Sequence, residues 1–407
     1  MVRSAVADPP NLKKYGVPAY SVAWIPPNVI KSGLNQTTGE SSDNADSSTP
    51  QPPEQSGEHY LAIAGGGGEG SSGIPNAVLL AHFDDASNSL SDQPVGKLGT
   101  NSELPYRMAL HPGGEGLICA MPKGCRCFEW DQNKSAENRK LGLKVSDNTL
   151  RKLEGAGQQL ALAFDNDGTM LAVGGEDGNL RVVKWPSMEI ILNSTKDYST
   201  VKDLHFSSDG KLLVSLGSGG PCRVWDVSSS TVLTSLSSKN GEVFSSCRFS
   251  QINDGPHVLY IAAMTDKGGS KRGSILTWDA KTGARMGSKH IIRDAISTLN
   301  VSADGKLVAC GTPSGDIVIV KSTNMQILST IKKAHLGAVT SLDFSHDSRL
   351  LASVSFDSSA RVTVIEEKQK SGGLSLWIAL LFIILAIAAY SLKLQDIDKL
   401  KLSFLQN

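Results

Sequence analysis

The sequence predicts an all-β protein, a seven-bladed WD-repeat β-propeller followed by a single C-terminal transmembrane helix. Two observations support this prediction. A strand–turn–strand phrase recurs along most of the 407 residues, and an uncharged apolar run of 19 residues lies close to the C-terminus. A repeat of about 40–45 residues built from short strands is typical of propeller blades. An apolar helix of roughly this length can cross a bilayer.

Each copy of the phrase contains an apolar strand, a turn with Asp-Gly or a similar pair, a second apolar strand, a glycine turn and a third strand. It reads LALAFDNDGTMLAVGGEDGNLRVVKW at 160–185 and TLNVSADGKLVACGTPSGDIVIV at 298–320. Trp-Asp pairs end several copies, as in WD repeats. The aligned turns are spaced 42, 45, 50 and 43 residues apart, at Asp167, Asp209, Asp254, Asp304 and Asp347. We interpret three residues as hydrogen-bonding scaffold inside their blades: Trp225, Trp278 and His335.

Counting backwards from these copies places the first blade at 20–84 and seven blades over roughly 15–367. The first blade is interrupted at 31–58 by Ser, Thr, Pro, Gly, Asn and acidic residues without apolar periodicity, which predicts a disordered insertion. A second polar insertion, at 132–148, is expected to link the second and third blades.

The apolar run from Leu374 to Leu392 predicts the transmembrane helix. A buried core helix is disfavoured, since such a helix normally keeps a polar face over this length. The first 27 residues are polar and rich in proline, and show no apolar leader. We therefore expect residues 1–370 to stay in the cytosol and 393–407 to form a short lumenal tail. The basic residues on the two sides of this run balance each other, so they do not indicate its orientation in the membrane.

Composition argues against several classes of function. The 40 basic and 40 acidic side chains cancel, so nucleic-acid binding is not expected. The six cysteines form no CxxC pair, which favours buried, reduced thiols. The histidines show no recognisable arrangement with a nucleophile and a carboxylate, so a hydrolase or metal enzyme is not expected. A basic cluster, Lys267, Lys271 and Arg272, reads as a solvated loop that could meet an acidic partner or lipid.

The segment from Gly65 to Asn76, GGGGEGSSGIPN, is the most unusual in the chain. It has more glycine than a hairpin turn needs, and ordering glycine has a substantial entropic cost. No Gly-Lys-Ser/Thr follows and a strand comes next, which disfavours both a phosphate-binding loop and a dinucleotide fingerprint. Converging carbonyls with Glu69 and Asn76 would suit a hard cation. A flexible surface loop without function remains equally open at this point.

Four features together resemble one family: YGVPAYSVAWIP at 15–26, LAIAGGGGEGSSGIPNAVLLAHFD at 61–84, the propeller repeats and the apolar C-terminal run. They are similar to the Sec-twelve family, and most of all to its plant members. That family comprises the endoplasmic-reticulum guanine nucleotide exchange factors that activate the small GTPase Sar to start COPII coat assembly and vesicle budding.

The resemblance implies a function without covalent catalysis. The partners would be Sar, in its GDP-bound and nucleotide-free forms, and the endoplasmic-reticulum membrane. The loop would bind a potassium ion, mainly through the backbone carbonyls of Gly65, Gly66, Gly67, Gly68, Gly70 and Gly73. The residues that act on the GTPase would be Glu69, Ile74, Pro75 and Asn76.

One alternative function stays open. A related plant branch serves as an exit facilitator for membrane cargo such as phosphate transporters, as a WD-repeat scaffold without exchange activity. The glycine loop favours exchange, because that branch is not expected to retain it. A nucleotide-release assay separates the two functions.

Overall fold

The fold is taken from a computed structural model that describes residues 8–34, 57–70, 72–131, 141–147, 150, 153, 156–195, 197–239, 241–252, 257–365, 381–391 and 393. The chain divides into two units, Met1–Val364 and Ile365–Asn407. Within its described residues, the first unit forms seven antiparallel sheets. The seven-bladed propeller predicted from the repeats is therefore confirmed.

The strands follow one another blade by blade. Strand β1 (Leu12–Lys14) opens the chain, and blade 1 contains β2 (Ala19–Trp24), β3 (Glu58–Gly65), β4 (Asn76–Asp84), β5 (Ser89–Leu90) and β6 (Gly96–Asn101). Blade 2 contains β7 (Arg107–Leu110), β8 (Leu117–Met121), β9 (Gly124–Asp131) and β10 (Gly142–Val145). Blade 3 contains β11 (Gln159–Phe164), β12 (Met170–Gly175), β13 (Leu180–Lys184) and β14 (Ile190–Ser194).

The remaining blades repeat this order. Blade 4 contains β15 (Thr200–Phe206), β16 (Leu212–Ser218), β17 (Cys222–Asp226) and β18 (Thr231–Leu236). Blade 5 contains β19 (Val243–Phe249), β20 (Val258–Lys267), β21 (Ser270–Asp279) and β22 (Arg285–Ile292). Blade 6 contains β23 (Thr298–Val301), β24 (Leu307–Gly311), β25 (Ile317–Lys321) and β26 (Ile327–Ile331). Blade 7 contains β27 (Val339–Phe344), β28 (Leu350–Ser355) and β29 (Ser359–Val364).

The ring is closed by the N-terminus. Strand β1 pairs antiparallel with β29, placing Leu12 opposite Arg361 and Lys14 opposite Ser359, and so supplies the fourth strand of blade 7. The sequence did not predict this strand, because three residues are too few for an alternating pattern. Because this sheet joins the two ends of the propeller, the ring cannot open without breaking the pairing of β1 with β29.

The Asp-Gly turns that define the repeat share one hydrogen-bond pattern. In blade 6 the Ser302 hydroxyl donates to Asp304 Oδ1 at 2.6 Å and accepts the Leu307 N–H at 2.9 Å. Gly305 follows with a φ of +68°, which glycine adopts without steric cost. Blades 4 and 7 repeat the serine–aspartate bond at Ser207–Asp209 and Ser345–Asp347. The turn residues thus fix the first hairpin of each of these blades.

The core lies between blades. Middle strands are buried on both faces, as in β28, where every residue from Leu350 to Ser355 is buried. One cluster joins Leu61, Ile63 and Leu79 of blade 1 to Leu350 and Val354 of blade 7. Since each face packs on its neighbour, burying aliphatic side chains stabilises the ring as a unit at roughly 1.5–3 kcal/mol per side chain.

The insertion in blade 1 differs from its prediction at both ends. Helix α1 (Pro27–Leu34) follows β2, with Pro27 in the first turn, where its missing N–H costs nothing. Val29 is buried against the cluster shared by blades 1 and 2. The predicted disorder from residue 31 is thus wrong for 31–34, whose backbone is helical, and Glu58 already belongs to β3. The rest of the insertion, 35–56, lies outside the described residues.

The second polar insertion is placed differently from its prediction. Strand β10 pairs with β9, with Gly142 opposite Asp131 and Val145 opposite Phe128, and completes blade 2. Residues 142–145 of this insertion therefore belong to blade 2 and do not link blades 2 and 3. Residues 132–140 and 148 lie outside the part of the chain that the structure describes.

In the second unit, residues 381–391 are helical, and the Ser391 hydroxyl donates to the Ile387 carbonyl at 2.7 Å. Over the described ranges, the structure has no helix with the length and apolarity that a membrane crossing requires. The predicted transmembrane segment 374–392 extends into residues that are not described, 374–380 and 392.

The acidic insertion gives a prediction for stability. Replacing residues 36–55 with a short Gly-Ser linker should leave the melting temperature nearly unchanged, because the replaced composition supplies little apolar surface to the core. Extending the replacement through α1 should lower it by several degrees, because Val29 leaves a buried cluster. Thermal unfolding followed by circular dichroism compares the two. Equal melting temperatures for both variants would contradict the prediction.

Candidate functional site

The glycine segment lies at one end of blade 1, where the second strand turns into the third. Strand β3 ends at Gly65, β4 begins at Asn76, and Gly65 lies opposite Ala77 in the ladder. Residues 66–75 therefore form a long loop, which we call the glycine loop. The corresponding turn in blade 3, from Gly175 to Leu180, is far shorter. The antiparallel order places the connections between consecutive blades at this same end, which we call the loop face.

Glycine is required at the base of the loop for steric reasons. Gly66 has a φ of +152°, and a Cβ atom there would collide with Asn76. A Cβ on Gly67 would collide with the Ser72 hydroxyl and would lie 2.8 Å from Ile74 Cβ. The two halves of the loop thus approach each other more closely than any side chain allows. The outer glycines lie in open space: Gly68, Gly70 and Gly73.

Asn76 holds the loop together. Its Oδ1 accepts the Gly68 N–H at 2.9 Å, and its Nδ2 donates to the Gly68 carbonyl at 3.1 Å and the Asn101 carbonyl at 3.0 Å. The side chain is only 3% exposed. Asn76 therefore lies beneath the loop and not at its surface, and its role in acting on the GTPase stays a prediction. As the first residue of β4, it turns under the loop and ties the loop to the end of β6.

The tip of the loop is exposed. Glu69, Ile74 and Pro75 are all accessible, with Ile74 37% exposed. The Ile74 N–H donates to the Ser72 hydroxyl at 3.3 Å, which tightens the returning half of the loop. The loop thus offers a partner one carboxylate and a small apolar surface above a clamped base.

The donor chemistry of the loop suits a hard cation better than a transition metal. The described residues contain no group of three or more His, Cys, Asp or Glu side chains that could hold a metal ion. The loop supplies backbone carbonyl oxygens and Asn76 Oδ1, which retains a lone pair after accepting the Gly68 N–H. Oxygen donors of this kind fit an alkali or alkaline-earth cation.

Two of the three residues interpreted as scaffold make the expected hydrogen bonds. His335 Nε2 lies 2.8 Å from the Ser353 hydroxyl, and Trp225 Nε1 donates to the Ser215 hydroxyl at 2.8 Å. The hydrogen-bonding interpretation is wrong for Trp278. Its indole N–H is buried and has no hydrogen-bond partner within the described ranges, while its ring packs in the core with the Arg285 guanidinium 5.9 Å away.

The interpretation of the cysteines as buried thiols is confirmed for five of the six, and Cys125 is partly buried. Burial raises the pKa of the Cys125 and Cys310 thiols to about 12. These groups stay protonated at neutral pH and are poor nucleophiles.

The basic cluster lies at the loop-face end of the long β20–β21 hairpin, where Lys271 and Arg272 are exposed.

Sequence reasoning missed a charged pair between the innermost strands of blades 4 and 5. Arg248 Nη1 lies 2.9 and 2.8 Å from the two carboxylate oxygens of Asp203. Asp203 also accepts from the Ser246 hydroxyl at 2.6 Å and the Cys247 N–H at 2.9 Å. Burial acts to raise the pKa of Asp203, but Arg248 and these donors outweigh it, so the pKa is lowered. Packing of blade 4 against blade 5 brings these residues together.

Asp343, on the innermost strand of blade 7, has no such cation in direct contact among the residues that the structure describes. Its Oδ2 accepts the Trp24 N–H at 2.9 Å and its Oδ1 accepts from Asn300 Nδ2 at 3.1 Å. Asp343 is half-buried, and the surrounding protein atoms leave its carboxylate poorly solvated. Burial raises the pKa of Asp343 to about 7.

This shift predicts a pH dependence of stability. Between the ordinary pKa near 4 and about 7, the folded state keeps a proton that the unfolded state has lost. The Asp343 contribution to the free energy of unfolding should therefore fall as pH rises through this range, by at most about 1.4 kcal/mol per pH unit. Asp343→Asn should remove that slope. Urea unfolding at pH 5, 6, 7 and 8 checks this, and parallel curves for both proteins would contradict it.

Comparison with known proteins assigns the chain to a family. The WD domain, G-beta repeat family matches residues 147–184 and 325–363. SEC12-like protein 2 of Arabidopsis thaliana is 48% identical over 369 residues, which cover 91% of each chain. This chain belongs to the SEC12 family. The resemblance seen in the sequence is therefore confirmed.

Two further SEC12-family relatives extend the comparison. SEC12-like protein 1 of Arabidopsis thaliana is 30% identical over 78% of both chains. The rat protein named guanine nucleotide-exchange factor SEC12 is 26% identical over 70% of this chain and 78% of its own length. The long glycine loop is thus a feature of a SEC12-family propeller, and the family includes named exchange factors.

Proposed function

We propose that this SEC12-family chain is a membrane-anchored guanine nucleotide exchange factor that activates a small GTPase of the Sar class to start COPII budding at the endoplasmic reticulum. The observation that supports this best is the clamped glycine loop, with a buried Asn76 below and an exposed tip above. The named exchange activity of the rat relative supports the same class of function.

The mechanism needs no covalent step. An exchange factor binds the nucleotide-free GTPase more tightly than the nucleotide-bound form, and this difference in affinity drives release. In this proposal the rigid base presents Glu69, Ile74 and Pro75 to the GTPase. A carboxylate placed near the nucleotide site would disfavour the negatively charged phosphates of bound GDP. Asn76 acts from below by holding the loop in one conformation.

A potassium ion would fit this loop. The backbone carbonyls of Gly65–Gly68, Gly70 and Gly73, with Asn76 Oδ1, would hold it. The ion would supply a positive charge that draws the carbonyls together and stiffens the loop. Asn76 already fixes Gly68 through two hydrogen bonds, so part of the order is built into the chain itself.

The membrane part of the proposal rests on the apolar run 374–392, whose 19 residues would span about 28 Å as a helix. The propeller would then face the cytosol, with 393–407 in the lumen. We expect protease added to sealed microsomes to degrade the propeller. Glycosylation at Asn35, Asn133 or Asn193, each within an Asn-X-Ser/Thr sequence, would show the opposite orientation.

The decisive experiment measures release of fluorescent GDP from a Sar GTPase by the full-length chain in liposomes. We expect release in potassium to be much faster than the intrinsic rate, and slower in a buffer whose only monovalent cation is too large for the loop. A chain that binds membranes but never accelerates release would instead support the scaffold alternative. Fast release with no cation dependence would remove potassium and keep the exchange function.

A further inference from the structure

We infer that the GTPase-docking surface extends from the glycine loop onto blade 7, over an apolar ledge formed by Tyr20, Leu336 and Phe356. This inference rests on the proposed function, because it takes the same small GTPase as the occupant. It adds a second set of binding residues from the other end of the chain.

The two blade 7 residues of the ledge are unusually exposed for large apolar side chains. Leu336, in the connection from β26 to β27, is 76% exposed, and Phe356, in the turn from β28 to β29, is 48% exposed. Both connections lie on the loop face. The Leu336 N–H donates to Asp357 Oδ2 at 2.7 Å, which ties the two connections to each other. The two connections that carry these apolar side chains are therefore fixed to each other.

The ledge is continuous with the glycine loop. The Tyr20 ring packs edge-on against Phe356, with centroids 5.0 Å apart and an angle of 72°. Tyr20 follows Ala19, which lies opposite Gly65 in the β2–β3 ladder. The Gly66 N–H then donates to the Pro18 carbonyl at 2.9 Å. A short series of direct contacts thus leads from Phe356 to the base of the loop.

The size of the loop favours a second contact. A specific protein interface buries roughly 800 Å² on each partner. The exposed tip of the glycine loop consists largely of glycine and serine, and its larger side chains are Glu69, Ile74 and Pro75. Such a tip covers only part of that area. A protein already bound to the loop would gain further contact area on an exposed apolar surface beside it. Aromatic and aliphatic anchors of this kind dominate the binding energy of interfaces.

The test uses the full-length chain in liposomes with Leu336→Ser and Phe356→Ser combined. We expect the affinity for the nucleotide-free GTPase to fall roughly tenfold or more, and kcat/KM for exchange to fall with it. At saturating GTPase the maximal rate should change little, because the glycine loop is intact. Leu336→Ser alone, which removes no buried contact, should show the same direction of effect.

A control variant replaces two other exposed apolar residues, Leu233 of β18 and Met286 of β22 on outer strands, with serine. These substitutions should leave binding and exchange at wild-type values. Circular dichroism of all variants checks that each propeller is folded.

Each outcome separates the two proposals. Wild-type GTPase affinity in the folded ledge variants would overturn the ledge and leave the exchange function standing. A wild-type chain that binds the GTPase through the ledge without accelerating release would keep the ledge and overturn exchange. Loss of self-association alone, measured by sedimentation, would assign the ledge to a second copy of this chain. Loss of liposome binding alone would assign it to lipid, and both of these results overturn the inference.

Discussion

Asn76→Ala is expected to lower the rate of GDP release by roughly tenfold or more while the propeller stays folded. The substitution leaves the Gly68 N–H and carbonyl and the Asn101 carbonyl without their side-chain partner. Losing these buried hydrogen bonds costs about 1–3 kcal/mol, and 1.4 kcal/mol corresponds to a tenfold change in an equilibrium. Most of that cost falls on the ordered state of the loop, which is the state that acts on the GTPase.

The measurement combines GDP release with urea unfolding. Because Asn76 is buried, we also expect the free energy of unfolding to fall by about 1 kcal/mol or more. Asn179→Ala is the matched control, since this half-buried asparagine lies in the corresponding turn of blade 3. It should leave exchange unchanged. A folded Asn76→Ala protein with wild-type release in potassium would remove the clamp from the mechanism.

Asp203→Ala should be among the most destabilising single substitutions in the propeller, with a loss of about 3–5 kcal/mol in the free energy of unfolding. It leaves the Arg248 guanidinium without its carboxylate and removes the acceptor for the Ser246 hydroxyl and the Cys247 N–H. Since folding lowers the pKa of Asp203, its contribution is present above the ordinary value near 4. It is lost as pH falls through the lowered folded value.

Urea unfolding at pH 7 checks this prediction. Glu189→Ala is a suitable control, because Glu189 pairs with Lys184 at 2.8 Å, both side chains are more than half exposed, and exposed pairs contribute less than about 1 kcal/mol. The double variant Asp203→Leu with Arg248→Met should recover part of the loss, because no unpaired charge remains. A loss from Asp203→Ala as small as that from Glu189→Ala would show that the Asp203–Arg248 pair is well solvated.

Part of the fold could be predicted from local pattern. The serine–aspartate bonds and positive-φ glycines act within one hairpin. The repeated turns therefore predict seven blades without any reference to contacts between blades. The glycine loop was also found by composition, since six glycines in nine residues are more than a hairpin turn needs.

The errors have a common origin in contacts between distant parts of the chain. The sequence grouped Asn76 with the residues that would act on the GTPase and gave no sign that it is buried, with its Nδ2 reaching the Asn101 carbonyl 25 residues away. The closing strand β1 has no pattern of its own and is defined only by its pairing with β29. The polar segment before β10 looked like a linker, because hydrophobic periodicity is weak in a four-residue outer strand.

The sequence by itself determined the number of blades, the turns and the place of the glycine loop, because those depend on residues adjacent in the chain. Tertiary structure alone decided that Asn76 lies beneath the loop, that Asp203 meets Arg248 45 residues later, and that Phe356 lies beside Tyr20. Closing the ring brings the two ends of the chain into contact, and no local preference encodes which side chains then meet.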